Sequence, residues 1–429
     1  MLFQAISLFL AIPLAQAAAV ARSSHEHHDH DHTHEVPQRL PGVWYQEPDH
    51  PVHSLFRRGP GDGYNYPVPG AQNWAAGFPP TSVPNPAMLP REWVAAYNAS
   101  VASGDIPNIP RSQSLQPNTN PVYPQGVNPM SPEICSATYK CRIPGDIWDA
   151  PNGVFASSFD DGPLPLTPQL VGFLQDKGVK TTHFMIGVNI IYYPSQFLAA
   201  LNAGHDIAVH TWTHPYMTTL SDLDVLGQLG WTMQLIHNAT GGRVPKYWRP
   251  PYGDTDQRVN AIASAVFGLE TVVWNNDTED WGSNSTDLVQ GAMAGFLSRP
   301  KTPGLIILEH ETSTITVNGF INSFPLIAQN GWQFQSLADV MSGGHIYQNS
   351  DNDNAPVTAA PVYNQTMLSL ATSTASSTIP ASSIADLVSS SVPSPTAKPN
   401  SASSIREQRS SSLVLFLSLL AVSTVVVFS

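Results

Sequence analysis

An α/β barrel is the fold class predicted for residues 133–347, a distorted (β/α)7-type closure one unit short of eight. Three observations predict it. Short runs rich in β-branched and aromatic residues alternate with longer helical stretches, the pattern of parallel strands joined by crossover helices. Seven such runs occur. Clusters of Asp, His and Arg recur just after several of them, at the face where barrels of this kind carry their chemistry.

Taken in order, strands are expected at Val154–Phe159, Thr182–Ile186, Asp206–Val209, Tyr247–Arg249, Thr271–Trp274, Leu305–Leu308 and Trp332–Gln335. Helices are expected between them at Thr167–Asp176, Asp222–Ala239, Asp256–Val266 and Ser285–Leu297. Cys135 and Cys141 are the only cysteines. In an oxidising compartment they form a short local disulfide.

The flanks differ in composition. Residues 1–19 read as a signal peptide, with the apolar run Phe3–Leu14 followed by Ala15-Gln16-Ala17. Residues 20–132 are rich in Pro and His and read as a low-order segment or pro-region. Its tract from His25 to His34 either binds metal or is a disordered, removable leader, and Arg57-Arg58 offers a dibasic cleavage site. Residues 348–400 form a Ser/Thr/Pro-rich stalk. Residues 401–429 end in the apolar run Leu413–Phe428, preceded by the small residues Asn400-Ser401-Ala402. That is the pattern of a glycosylphosphatidylinositol (GPI) attachment signal, with Asn400 or Ser401 as the attachment residue and a tail-anchored helix as the alternative. The N-x-S/T sequons at Asn98, Asn238, Asn276, Asn284 and Asn364 agree with secretion. The formal net charge of -13 disfavours a nucleic-acid partner.

Chemistry concentrates in five clusters. Ser158-Phe159-Asp160-Asp161-Gly162-Pro163 places two carboxylates side by side, either as good turn chemistry or as a pair whose repulsion a cation relieves. In His210-Thr211-Trp212-Thr213-His214 a helical turn would set both imidazoles on one face, four residues apart. That spacing suits one divalent ion, with Asp161 completing the set. His205, ahead of its strand, reads as structural. Arg249-Pro250-Pro251-Tyr252-Gly253 supplies a guanidinium able to grip a carboxylate, and a rigid turn able to aim a backbone N–H. Asp277-Thr278-Glu279-Asp280-Trp281 offers an apolar wall and a carboxylate for a histidine. In Leu305-Ile306-Ile307-Leu308-Glu309-His310-Glu311, His310 paired with a carboxylate would stay protonated and serve as an acid. Each cluster alone has a structural alternative; five at one face of a barrel do not.

These clusters resemble the five motifs of the NodB-type polysaccharide deacetylases, carbohydrate esterase family 4, over roughly Val154 to Leu337. HTWTHPYMTTL, KYWRPPYGDTD, DTEDW and LIILEHE are most similar to GPI-anchored fungal chitin deacetylases. The resemblance implies Asp160 as catalytic base, and Asp161, His210 and His214 as ligands of a divalent metal, zinc or alternatively cobalt. It implies Arg249 as the residue orienting the base, and the Tyr252 backbone N–H as oxyanion donor. Trp281, Leu308 and Tyr252 would bind substrate, and His310 would be the acid, tuned by Asp280. Ser158, Gly282 and Glu311 depart from the commoner residues of the pattern.

The activity implied is metal-dependent hydrolysis of N-acetyl groups of chitin or chito-oligosaccharides, giving chitosan and acetate. The enzyme is expected to be monomeric, secreted and lipid-anchored at the cell wall. Deacetylation of peptidoglycan or xylan is the alternative within the same chemistry. A non-catalytic glycan-binding wall protein is the alternative outside it, and such a binder has no need of Asp160 or His310.

Overall fold

Strand β1 (Val154–Gly162) is buried along almost its whole length, as a parallel strand covered on both faces must be. It belongs to a computed structural model that describes residues 66–117, 119–352 and 354–366. The expected signal peptide, the His tract, most of the expected stalk, and Asn400 and Ser401, the expected attachment residues, lie outside the described residues. No described helix is long and apolar enough to cross a membrane.

After β1 the chain alternates helix and strand: α2 (Thr167–Asp176), β2 (Thr182–Met185), α3 (Gly187–Tyr192), α4 (Pro194–Asn202), β3 (Asp206–Val209), α5 (Asp222–Ala239), β4 (Tyr247–Trp248), α6 (Gln257–Phe267) and β5 (Glu270–Thr271). Then come β6 (Asn276–Asp277), α7 (Thr286–Leu297), β7 (Ile307–Leu308), α8 (Thr314–Gln329), β8 (Gln333–Ser336) and α9 (Leu337–Ser342). Six strands form one sheet in the order β5-β4-β3-β2-β1-β8, with every pairing parallel. β6 and β7 form a second parallel pair. Bridges from Phe155 to Leu305 and from Asp160 to His310 lay the β7 segment along β1. The pairings thus run from β1 through β5, continue at β6, and return through β7 to β1. The distortion of the barrel sits between β5 and β6.

That distortion is where one expectation changes. The strand expected at Thr271–Trp274 is cut short, with only Thr271 of it in β5, and beyond Trp274 the Asn275 side chain takes the place of ladder peptides. Its Nδ2 donates to the Gly304 carbonyl at 2.7 Å and its Oδ1 accepts from the Ile306 N–H at 3.1 Å. A side-chain amide offers both a donor and an acceptor and can stand in for a backbone pair.

The larger correction concerns residues 20–132, expected to be low in order. Within them α1 (Arg91–Ser103) is a packed helix. Its Trp93 is fully buried, edge-on to Trp231 of α5 at 5.0 Å and to Phe267 of α6 at 5.7 Å. The fit depends on Gly230, where any Cβ would stand 2.4 Å from the Trp93 ring. The inward face of α1 is otherwise mostly alanine, so its sequence carries little amphipathic contrast and reads as loop. α8 was also not expected; Pro325 lies inside it and masks a helix that its Ser313–Thr316 capping box initiates.

Cys135 and Cys141 are disulfide-bonded, their Cα atoms 5.1 Å apart. Among the sequons, Asn284 is exposed, while Asn98, Asn276 and Asn364 are half-buried. Asn238 is only 6% exposed within α5, and its Oδ1 accepts from Gln234 Nε2 at 2.8 Å.

Removing the Trp93 indole should leave a cavity against Trp231 and Phe267. Trp93→Ala is expected to cost about 3–5 kcal/mol of unfolding free energy, measured by urea denaturation. A loss below roughly 1 kcal/mol would mean that α1 is not part of the core.

Candidate active site

Successive strand residues point to opposite faces, so Asp160 and Asp161 should diverge. A β-bulge prevents it. The pairing of β1 with β2 shifts register between Asp160 and Gly162, and Asp161 is left-handed, with φ of 72°. Bulges re-aim side chains next to active sites. Here Asp161 Oδ1 lies 3.3 Å, and Asp160 Oδ2 3.8 Å, from the same atom, His210 Nε2.

His210 and His214 meet without the helical turn expected of them. The chain after β3 makes an irregular turn in which Thr211 and His214 both have positive φ, 63° and 61°. His214 Nε2 lies 3.2 Å from Asp161 Oδ1. The ligand atoms of Asp161, His210 and His214 all fall within 4.8 Å of one another. His210 Nδ1 is 2.8 Å from the Arg249 carbonyl oxygen. A carbonyl only accepts, so Nδ1 carries the proton and Nε2 turns a lone pair toward Asp161. Asp161 Oδ1 is buried and has no hydrogen-bond partner among the described residues. Lone pairs crowded in this way repel unless a cation sits among them, and two imidazole nitrogens with one carboxylate oxygen suit a divalent metal. Burial pushes the Asp161 carboxyl upward, but the neighbouring His214, His210 and His310 side chains outweigh it and hold it well below the usual carboxylate range.

Arg249 sits beneath Asp160. Its Nη1 donates to Asp160 Oδ1 at 2.6 Å and its Nη2 to Ser158 Oγ at 2.9 Å. Its guanidinium lies 4.2 Å from the centre of the Phe184 ring. A fully buried guanidinium is tolerable only with such partners. The Pro250-Pro251 turn brings Tyr252, left-handed with φ of 59°, against His214 at 4.6 Å. Its ring stacks on Tyr216 at 4.1 Å and remains 51% exposed.

On the other flank of β1, His310 is the register partner of Asp160. Asp280 grips it twice: Oδ1 is 2.6 Å from Nδ1, and Oδ2 accepts the His310 backbone N–H at 2.8 Å. Burial disfavours the charged ring, but Asp280, aided by Asp161 and Asp160, lifts its pKa to about 10. A cation on Asp161 would remove part of that lift. Trp281, next in chain, stands 67% exposed at the rim, whereas Leu308 is buried among Val273, Trp274 and Ile306.

Two neighbours, Gln228 and Glu309, escaped the sequence reading. Gln228 of α5 is fully buried and bonded to the turn between the two histidines. Glu309 is buried with both carboxylate oxygens unpartnered among the described residues; burial, then Asp280, push it well above the usual range against the pull of His310 and Arg249. His205 does prove to be structural, but as part of a buried chain from Glu311 through His183, with 2.8 Å links. Burial, then His183 and Lys180, push it down to about 3. Period-two reading of LIILEHE marks Glu309 and Glu311 as sharing a face, which was the available signal.

The polysaccharide deacetylase family model matches residues 149–271, from just ahead of β1 through β5. Chitin deacetylase 3 of Cryptococcus neoformans var. neoformans is 41% identical over 313 residues, 71% of this chain and 73% of that protein. The chitin deacetylase of Amylomyces rouxii is 32% identical over 60% of this chain and 61% of its own length. Among solved structures, a family 4 carbohydrate esterase from Streptomyces lividans in complex with acetate is 31% identical over 49% of this chain and 100% of its own, with a TM-score of 0.38. With the Cryptococcus relative matched at that identity over 73% of its length, the chain belongs to the polysaccharide deacetylase family.

Proposed function

We propose that this chain is a metal-dependent chitin deacetylase, hydrolysing the N-acetyl groups of β-1,4-linked N-acetylglucosamine to give chitosan and acetate. The observation that carries the reading is the placement of Asp160 and His310 as cross-strand neighbours beside the Asp161–His210–His214 cluster. The names of the relatives at 41% and 32% identity supply the substrate.

Asp161, His210 and His214 would hold the ion, for which zinc suits the donor set and cobalt is the alternative. A bound divalent ion supplies Lewis acidity toward an amide carbonyl and a lower pKa for water. Asp160, oriented by Arg249, takes a proton from the attacking water. The Tyr252 backbone N–H donates to the oxyanion that develops on the acetyl oxygen. His310, kept charged by Asp280, donates its proton to the departing amine as the carbon–nitrogen bond breaks. Trp281 and Leu308 wall the acetyl methyl. The leader and tail patterns support a location outside the cell with a lipid anchor, and the disulfide fits an oxidising compartment.

The direct test is acetate release from N-acetylglucosamine oligomers against acetylxylan and peptidoglycan fragments. Release from the oligomers should dominate, vanish on exhaustive chelation and return with zinc. A preference for either rival polymer, or undiminished turnover without metal, would overturn the proposal. Asp160→Asn should lower kcat by roughly 10²–10⁴-fold while zinc stoichiometry stays at the wild-type value. For the acid, the protonated form of His310 works, so activity falls as pH rises through its pKa. Asp280→Asn removes the charge that lifts it, and should move the alkaline limb of the pH–rate profile down by at least about one unit. The same ion pair stabilises the fold fully below the ordinary histidine value of about 6.5. That contribution is lost as pH climbs through about 10, and unfolding followed across that window should show the loss in wild type and not in Asp280→Asn.

A further inference from the structure

The turn that carries the two histidines makes almost no backbone hydrogen bonds of its own. Its carbonyls are taken by the start of α3: Gly187 N–H donates to Thr211 at 2.9 Å and Val188 N–H to Trp212 at 3.1 Å. Its N–H groups are taken by one side chain. Gln228 Oε1 accepts from Trp212 N–H and from Thr213 N–H, both at 2.9 Å, and Gln228 Nε2 donates to Thr213 Oγ1 at 2.8 Å. The carbonyl oxygen has two lone pairs, and both are used. Gln228 is wholly buried on α5, so water does not substitute for it. The remaining local bond, His214 N–H to Thr211 Oγ1 at 3.0 Å, spans the turn without tying it to the rest of the fold.

This matters because the turn is held in an unfavourable shape. Thr211 is β-branched and has a φ of 63°, a combination that sterics oppose and that persists only where the surroundings over-determine it. The Trp212 ring is fixed by its own contacts, donating to the Pro80 carbonyl at 3.3 Å and filling the space where a Cβ on Gly187 would come within 2.3 Å of it. Those contacts anchor the outward side of the turn. Among the described residues, Gln228 alone reaches its two central peptide N–H groups, between the ligand histidines.

We infer that Gln228 is a positioning residue for the metal site: its amide sets the backbone of residues 211–213, and thereby the convergence of His210 and His214. The inference rests on the reading that Asp161, His210 and His214 bind a divalent ion. Without the amide, the strained turn relaxes and the histidines separate, so metal affinity falls before the fold does.

The test is zinc titration by calorimetry on the full chain, with the visible absorption of the cobalt-loaded protein as a report of ligand geometry. Gln228→Leu should raise the zinc Kd by roughly 10–100-fold and alter the cobalt spectrum. Gln228→Glu keeps the acceptor oxygens and can accept from the Thr213 hydroxyl, so it should return the Kd to within about three-fold of wild type. Leu229→Ala, a neighbouring core loss on the same helix, should lower thermal stability and leave the Kd and the spectrum unchanged. Thr213→Val breaks only the third bond and covers the case in which Gln228→Leu does not fold; its Kd should rise about three-fold. A zinc Kd unchanged in Gln228→Leu, or in Thr213→Val should the former not fold, overturns the inference. So does an equal loss in Leu229→Ala. Failure of the wild-type chain itself to bind zinc would instead sink the metal-site reading.

Discussion

Arg249 is the residue on which the arrangement of the barrel's active end depends. Its guanidinium bonds to Asp160 and Ser158 of β1 and lies over Phe184 of β2. Its backbone N–H donates to Val209 of β3, and its carbonyl takes the Nδ1 proton of His210. One residue at the end of β4 therefore contacts three other strands, orients one carboxylate and fixes the tautomer of one histidine. Burying a guanidinium without partners costs several kcal/mol, so each contact that satisfies the charge also constrains the geometry around it. The site is coherent because a single buried cation must be satisfied from several directions at once.

Backbone strain follows the same map. Of the non-glycine residues with positive φ among the described residues, Asp161, Thr211, His214, Tyr252 and Glu279 all lie in the segments that build the site. Each turns a side chain or peptide away from the direction its strand or turn would dictate, and strain of this kind is retained where function requires it. The bulge at Asp161 is the clearest instance, since it brings together two adjacent carboxylates that a regular strand would hold on opposite faces.

Much of this was legible from sequence because the chemistry needs particular side chains at strand ends. Asp160, Asp161, His210, His214, Arg249, Tyr252, Asp280 and His310 could be named from the clusters and from the family resemblance these carry, and the structure brings them together. What sequence did not reveal is how they are held. Gln228 looks like any polar residue of an amphipathic helix, and its importance arises only when α5 packs behind the histidine turn. Asn275, just ahead of β6, makes side-chain bonds to residues far along the chain, which no local pattern encodes. His210 and His214 converge, but not by the expected helical spacing, because the turn uses left-handed residues instead. Asn238 shows the converse: its sequon is intact, but tertiary packing buries it.

The α1 arm changes what counts as the edge of this molecule. The family match begins at residue 149, yet Trp93 fills a socket that α5 and α6 leave open, with Gly230 as its floor. A barrel cut at residue 149 would display the bare faces of Trp231 and Phe267 to water and invite self-association. Maturation at Arg57-Arg58 would discard the histidine tract while sparing the plug. The inherited catalytic module and the smallest soluble body are therefore different objects, and recombining this barrel with other domains requires carrying the plug along.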